Sequence, residues 1–322
     1  MGKHASLLYS LKSAVLSDDM PNTTAKIYRA GLTAFANWAK ANGLNRMDKI
    51  QPHAAAVIQD YERALESRYS SPSTIHTRLA PVCKALKVPM DSIEKPLRSV
   101  AAIEKGRSPD KGSRGRDELE DPRFRELVAF QQAVGIRRNE LRKLKPESLT
   151  RDESGYLCIE VERGKGGKRQ LQRILPQYED TVKTVLNRYQ TGEQLFKALV
   201  PASHLNLHAM RAEVAQTAYR HYESRIKREG YDKLLQELKA RYAASNERRR
   251  LSDPEKYKKC YERWTDDVVG HGRVYRLRGA ARQLAIDKGL PTEYDRVALM
   301  AVSEFHLAHH RTDVAVEHYL TR

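Results

Sequence analysis

The sequence predicts a mainly helical protein of the α+β class, with one small β-hairpin or sheet. Three observations carry that reading. Apolar residues recur at helical spacing through most of the chain. One stretch, YLCIEVERGKGGKRQLQRILP, instead alternates in the β manner on both sides of a Gly-rich turn. A run at 105–117, KGRSPDKGSRGRD, interrupts both patterns and has almost nothing to bury, so it reads as a basic interdomain linker. The linker divides the 322 residues into a helical domain at 1–104 and a larger domain at 118–322.

The elements follow in order. In TTAKIYRAGLTAFANWAKANG, residues Tyr28, Leu32, Phe35, Ala36 and Ala39 fall on one helix face, with Thr23 or Thr24 as the start signal and Gly43 beyond the end. A second helix covers roughly 52–68. A third lies in SPSTIHTRLAPVCKAL, where Ile75, Leu79, Val82 and Leu86 share a face and Ser71 or Ser73 signals the start. After the linker, 124–144 reads as helical and ends in GIRRNELRKL. The hairpin comes next, its turn near 164–167, and the remainder is again mostly helical. A charged insert occupies about 219–282 and contains YDKLLQELKARYAA, an amphipathic helix with Leu234, Leu235, Leu238 and Tyr242 as its apolar stripe.

Composition narrows the function. Lys and Arg number 58 against 41 Asp and Glu, a formal charge of +17 that most often signals a polyanionic partner. No apolar run is long enough to span a membrane, and the start lacks a signal peptide's apolar region, so the expectation is a soluble, cytoplasmic protein. Cys83, Cys158 and Cys260 are odd in number and widely spaced, which argues against a disulfide framework or a zinc cluster.

Four local patterns carry possible chemistry. Gly135-Ile136-Arg137-Arg138-Asn139-Glu140-Leu141 sets Glu140 three residues after Arg137, within reach on one helix face. Gly164-Lys165-Gly166-Gly167-Lys168-Arg169 places lysines at a hairpin tip, where glycines allow close approach of a ligand. It lacks P-loop spacing. His208-Ala209-Met210-Arg211 sets two donors on one helix face. The chain closes with LAHHRTDVAVEHYLTR, in which His309 and His310 precede Tyr319. Each pattern alone is common in ordinary surfaces and cores.

Their order is not common. Arg, a hairpin Lys, HxxR, then His and a terminal Tyr is the order of the tyrosine recombinases, the phage integrase family, and the chain resembles them over most of its length. GIRRNELRKL resembles the family's GLRxxELxxL, which places the first catalytic arginine on Arg137 and its acidic helper on Glu140. EVERGKGGKRQLQRILP is similar to the GKGxKxRxxP hairpin, which places the catalytic lysine on Lys165, with Lys168 second. HAMR matches HxxR and carries over His208 and Arg211. LAHHRTDVAVEHYL resembles the LGHxxxxxTxxYL box, which makes Tyr319 the nucleophile. The family usually has Gly between the Leu and His of that box, and one residue fewer before the Tyr. Aligning on Leu307-Ala308-His309 selects His309, whereas counting back from Tyr319 selects His310. Ala212 stands where many relatives have a second His. The N-terminal helices resemble the family's core-binding domain.

The resemblance implies a site-specific recombinase of the integrase type, a mobile-element enzyme that cleaves and rejoins double-stranded DNA through a 3′-phosphotyrosyl intermediate. It implies a tetramer on DNA, nucleoid-associated, with no cofactor, metal or membrane partner. The chemistry fits the residue types. Planar guanidiniums stabilise the extra charge on a phosphodiester under attack. Histidines handle the proton of a phenol that ordinarily titrates near ~10, and a lysine can protonate the departing 5′ oxygen. Related readings are a DNA-relaxing or telomere-resolving enzyme, or a DNA-binding protein that kept this fold and lost catalysis. Only Leu320, Thr321 and Arg322 follow Tyr319, where relatives have a docking helix. The helix at 231–244 is expected to supply a subunit or additional DNA contact in its place, and the linker and insert are expected to meet the DNA backbone.

Overall fold

A computed structural model describes residues 6–98, 117–164 and 169–321. Lys165, Lys168 and residues 105–116 of the basic run lie outside the described residues. The chain divides into two units, Met1–Glu104 and Lys105–Arg322.

In the first unit the helices are α1 (Leu7–Ser13), α2 (Asn22–Ala41), α3 (Met47–Ile50), α4 (Ala54–Glu66) and α5 (Pro72–Leu86). Ser6 caps α1, which the periodicity argument did not reach because its apolar face holds only Leu7 and Leu11. Pro21 precedes α2, so Thr23 and Thr24 lie inside its first turn and do not cap it. The predicted faces do meet: Leu32, Phe35 and Ala39 of α2 pack with Ile58 of α4 and with Ile75, Leu79, Val82 and Leu86 of α5. Burying each Leu, Ile or Phe is worth about 1.5–3 kcal/mol. Gly31 permits the close approach of α2 to α5, because a Cβ there would lie 2.7 Å from Pro81 Cγ.

The second unit begins with α6 (Arg125–Val134) and α7 (Arg138–Leu141). The single helix expected over 124–144 is therefore broken. Gly135 takes a left-handed φ of +60° and ends α6, and Arg137 is extended at the start of α7. Strands β1 (Leu149–Arg151), β2 (Leu157–Val161) and β3 (Gln170–Arg173) form an antiparallel sheet. The hairpin pairs Cys158 with Arg173 and Val161 with Gln170, and β1 adds a third strand too short to read from alternation. Helices α8 (Glu179–Leu186) and α9 (Leu199–Ala202) lead to the 23-residue α10 (Leu207–Glu229). Beyond it come α11 (Asp232–Ser245), α12 (Glu247–Ser252), α13 (Pro254–Val269), β4 (Val274–Arg276), α14 (Gly279–Asp287), β5 (Glu293–Asp295), α15 (Arg296–Val302) and α16 (Thr312–Ala315). β4 and β5 pair antiparallel. Single π turns, Ser303–Leu307 and Val316–Leu320, follow α15 and α16.

The segment 219–282 is not a solvated appendage. Its first residues continue α10, and Leu234, Leu238, Tyr242, Trp264 and Val268 join Ala298, Val302 and Phe305 in one core. Most of the apolar stripe of α11 is thus covered from within the chain, with Leu235 partly buried against the same core. Several of the segment's charges are buried as well. Glu237 receives Arg173 and Arg225 at 2.7 Å each, and Arg241 reaches Asp152 at 2.8 Å and Glu153 at 2.7 Å. These pairs fasten α11 to β3 and to the β1–β2 turn, so this part of the insert's charge cannot serve a DNA backbone. Among the described residues no helix is long and apolar enough to cross a membrane.

Candidate active site

The break at Gly135 sets the first half of the site. A Cβ at that position would lie 3.1 Å from Val214 Cβ and 3.3 Å from Arg211 Cα on a left-handed backbone, so glycine lets the end of α6 lie against α10 without strain. The Gly135 carbonyl then accepts a hydrogen bond from Arg211 Nη1. Arg211 is 1% exposed, and its Nη2 donates to the Leu307 carbonyl at 2.7 Å. Its Nε lies 3.4 Å from the Tyr319 hydroxyl. Burial draws this guanidinium below its ordinary pKa; the neighbouring Arg137 acts in the same sense, while Tyr319 opposes the shift.

Arg137 arrives from the start of α7. Its Nη1 donates to Glu140 at 2.8 Å and to Gln170 Oε1 at 3.3 Å, and its Nη2 donates to the Leu307 carbonyl at 3.1 Å. The adjacent Arg138 turns the other way and holds the carbonyls of Val200, Ser203 and Leu205, so only one arginine of the pair enters the cluster. Both cluster arginines converge on one oxygen, the Leu307 carbonyl, at the end of the first π turn. Such turns frequently mark functional sites.

Tyr319 lies on the second π turn and is 3% exposed. Its hydroxyl is 3.1 Å from His309 Nε2, and that nitrogen is 3.4 Å from Arg137 Nη2. The His208 ring lies 5.5 Å from the Tyr319 ring, centroid to centroid. Gln216 Nε2 donates to the Tyr319 carbonyl at 3.2 Å and fixes the turn to α10.

The two candidates in the last box have separate surroundings. Ala308 is left-handed with φ +49°, and so is His310 with φ +57°. These reversals aim His309 at Tyr319 and send His310 to Glu304, with Nδ1 2.7 Å from the carboxylate. His310 therefore partners a buried carboxylate away from the tyrosine hydroxyl. His306, on the same π turn, is also apart: burial first, then Arg173, pushes its pKa down to about 3, and Tyr222 holds its Nε2 at 3.1 Å.

The structure thus brings together Arg137, Glu140, His208, Arg211, His309 and Tyr319. Lys165 and Lys168 lie outside the described residues; β3 begins with Gln170, which accepts from Arg137. Motif reading did not single out Gln170 or the carbonyls of Gly135 and Leu307. A glutamine at a strand start has no signature, and backbone oxygens carry none at all. No protein family, curated protein or solved structure matches the chain.

Proposed function

We propose that this protein breaks and rejoins DNA as a site-specific tyrosine recombinase of the integrase type, with Tyr319 as the nucleophile. One observation carries the reading. Arg211 and His309, 108 and 10 positions from Tyr319, both contact its hydroxyl, and Arg137 reaches the same His309. A tyrosine hydroxyl held between a guanidinium and an imidazole suits attack on a phosphodiester.

In this reading the Tyr319 oxygen attacks phosphorus and its proton passes to His309. The bond to the 5′ oxygen breaks as that oxygen takes a proton from Lys165, and a 3′-phosphotyrosyl bond forms. Arg137 and Arg211 stabilise the charge on the non-bridging oxygens, with His208 as a further donor. Glu140 steadies Arg137. Reversal by a 5′ hydroxyl rejoins the strand, because the phosphotyrosyl bond keeps the energy of the bond it replaced. Double-stranded DNA is the partner, bound by an oligomer that holds two duplexes.

The test uses a nicked suicide duplex carrying the protein's own site, mapped from the DNA flanking its coding region. Wild type is expected to give a covalent adduct on a denaturing gel, and Tyr319→Phe to give none while still shifting the duplex. An adduct that persists in Tyr319→Phe overturns the assigned nucleophile. A wild-type protein that binds the site without an adduct would instead be a DNA-binding relative without catalysis, a reading favoured by Ala308 in a backbone conformation suited to glycine.

A further inference from the structure

We propose that α13, through Trp264 and Asp267, is a positioning clamp for the segment that carries Tyr319; the catalytic part of this inference rests on Tyr319 being the nucleophile. Trp264 and Asp267 stand three residues apart and so share one face of α13. Trp264 Nε1 donates to Glu304 Oε1 at 3.1 Å, and the other oxygen of that buried carboxylate meets His310 Nδ1 at 2.7 Å. Asp267 Oδ1 accepts from Thr312 Oγ1 at 2.7 Å, and Oδ2 accepts from the Thr312 backbone at 3.3 Å. Arg296, the first residue of α15, holds Asp267 Oδ1 at 2.9 Å and its carbonyl at 2.8 Å.

The clamp grips both ends of a strained loop. Ala308 and His310 are left-handed, a conformation unfavourable for side chains with a Cβ, so the loop relaxes unless its neighbours hold it. Glu304 lies before the loop and holds His310 within it. Thr312, 1% exposed, begins α16, and the π turn after α16 presents Tyr319. Ser303 adds a third tie, bonded to both the amide and the carbonyl of Arg311 at 2.9 Å. Loss of the α13 contacts would free the path from His309 to Tyr319 while leaving Arg137, Arg211 and the sheet in place. The insert thereby acquires a role in setting the nucleophile, acting through Glu304, His310 and Thr312.

Two full-length variants test this: Thr312→Val, which keeps the shape and removes the hydroxyl, and Trp264→Phe, which removes the donor to Glu304. Thr312→Ser serves as the rescue. Hydrogen exchange of amides 309–320 in the free protein is expected to quicken about tenfold or more in the first two and return toward wild type in Thr312→Ser, with amides of α6 unchanged. On the suicide duplex, adduct formation should slow by a similar factor while affinity for the duplex stays unchanged. Unaltered exchange in both variants overturns the clamp. A loss of affinity equal to the loss of rate overturns the positioning role. If wild type forms no adduct, the nucleophile assignment fails on its own, and the exchange measurement still decides whether α13 orders the segment.

Discussion

Arg173, Arg225 and Arg241 face the carboxylates of Asp152, Glu153, Glu229 and Glu237, whereas the buried Arg211 faces two backbone carbonyls and a tyrosine hydroxyl. Both groups are arginines taken out of water, yet their electrostatics run in opposite directions. Burial alone would lower Arg173 and Arg225, but the acids beside them, with Tyr222 and Tyr156, raise both above the ordinary value. For Arg211 burial prevails and the pKa falls. Carbonyl dipoles orient a guanidinium without cancelling its charge, and carboxylates cancel it. The first cluster therefore holds α11 to the sheet, and in the proposed function the second would keep positive charge for a phosphodiester. Arg137 lies between the two, paired with Glu140 on one nitrogen and with the Leu307 carbonyl on the other.

The comparison breaks most visibly at Glu237. Glu237→Gln leaves Arg173 and Arg225 without their shared charge partner, and the expected loss is about 3–5 kcal/mol of unfolding free energy, read from urea melts. Acid should act on the same network. Asp152 and Glu237 ordinarily titrate at 3.8 and 4.5; burial would raise them, but their guanidinium partners outweigh it and hold both lower. The folded state then binds fewer protons than the unfolded one. Stabilisation is complete above the ordinary values and is lost as pH falls through the lower folded values, so wild type should weaken below about pH 4. Glu237→Gln should show a shallower acid limb, and an identical limb would mean the network does not carry the charge energy assigned to it.

Arg211→Lys probes the other cluster. A lysine keeps the charge and loses the planar fork that reaches the Tyr319 hydroxyl and both carbonyls at once. Adduct formation on the suicide duplex should fall about 10²–10³-fold, with a smaller change in affinity. Retention of wild-type rate would place Arg211 with the structural arginines.

The smallest expected effect is at Ala308, whose left-handed backbone separates the Leu307 carbonyl from His309. Ala308→Gly should raise stability by about 0.5–1 kcal/mol, relief of strain exceeding the added freedom of the unfolded chain. A lower melting temperature would show that this turn is not strained in solution.

Much of the arrangement was legible from local pattern. The periodic faces of α2 and α5 and the presence of a hairpin follow from short spacings, and the candidates Arg137, His208, Arg211 and Tyr319 from the family resemblance carried by the order of their motifs. The break between α6 and α7 was not legible, because a glycine inside an apolar run looks like a tolerated helical residue until packing against Arg211 demands its handedness. Nor was the choice between His309 and His310, since adjacent residues have equal claims in sequence and the φ values of Ala308 and His310 decide which ring meets the tyrosine.

By itself the sequence determined a mainly helical chain with one hairpin and a charge of +17, and it holds the ordered set of side chains on which the proposed function rests. The tertiary structure alone decided what the buried charges of the insert do. Arg173 and Glu237 are 64 positions apart, and Asp152 and Arg241 are 89 apart, yet each pair is in contact in the interior. Helical period and motif spacing are local properties, written in neighbouring residues. Charge compensation depends on which distant segments pack together, and so whether a given arginine remains available to an anion is settled only when the core closes around it.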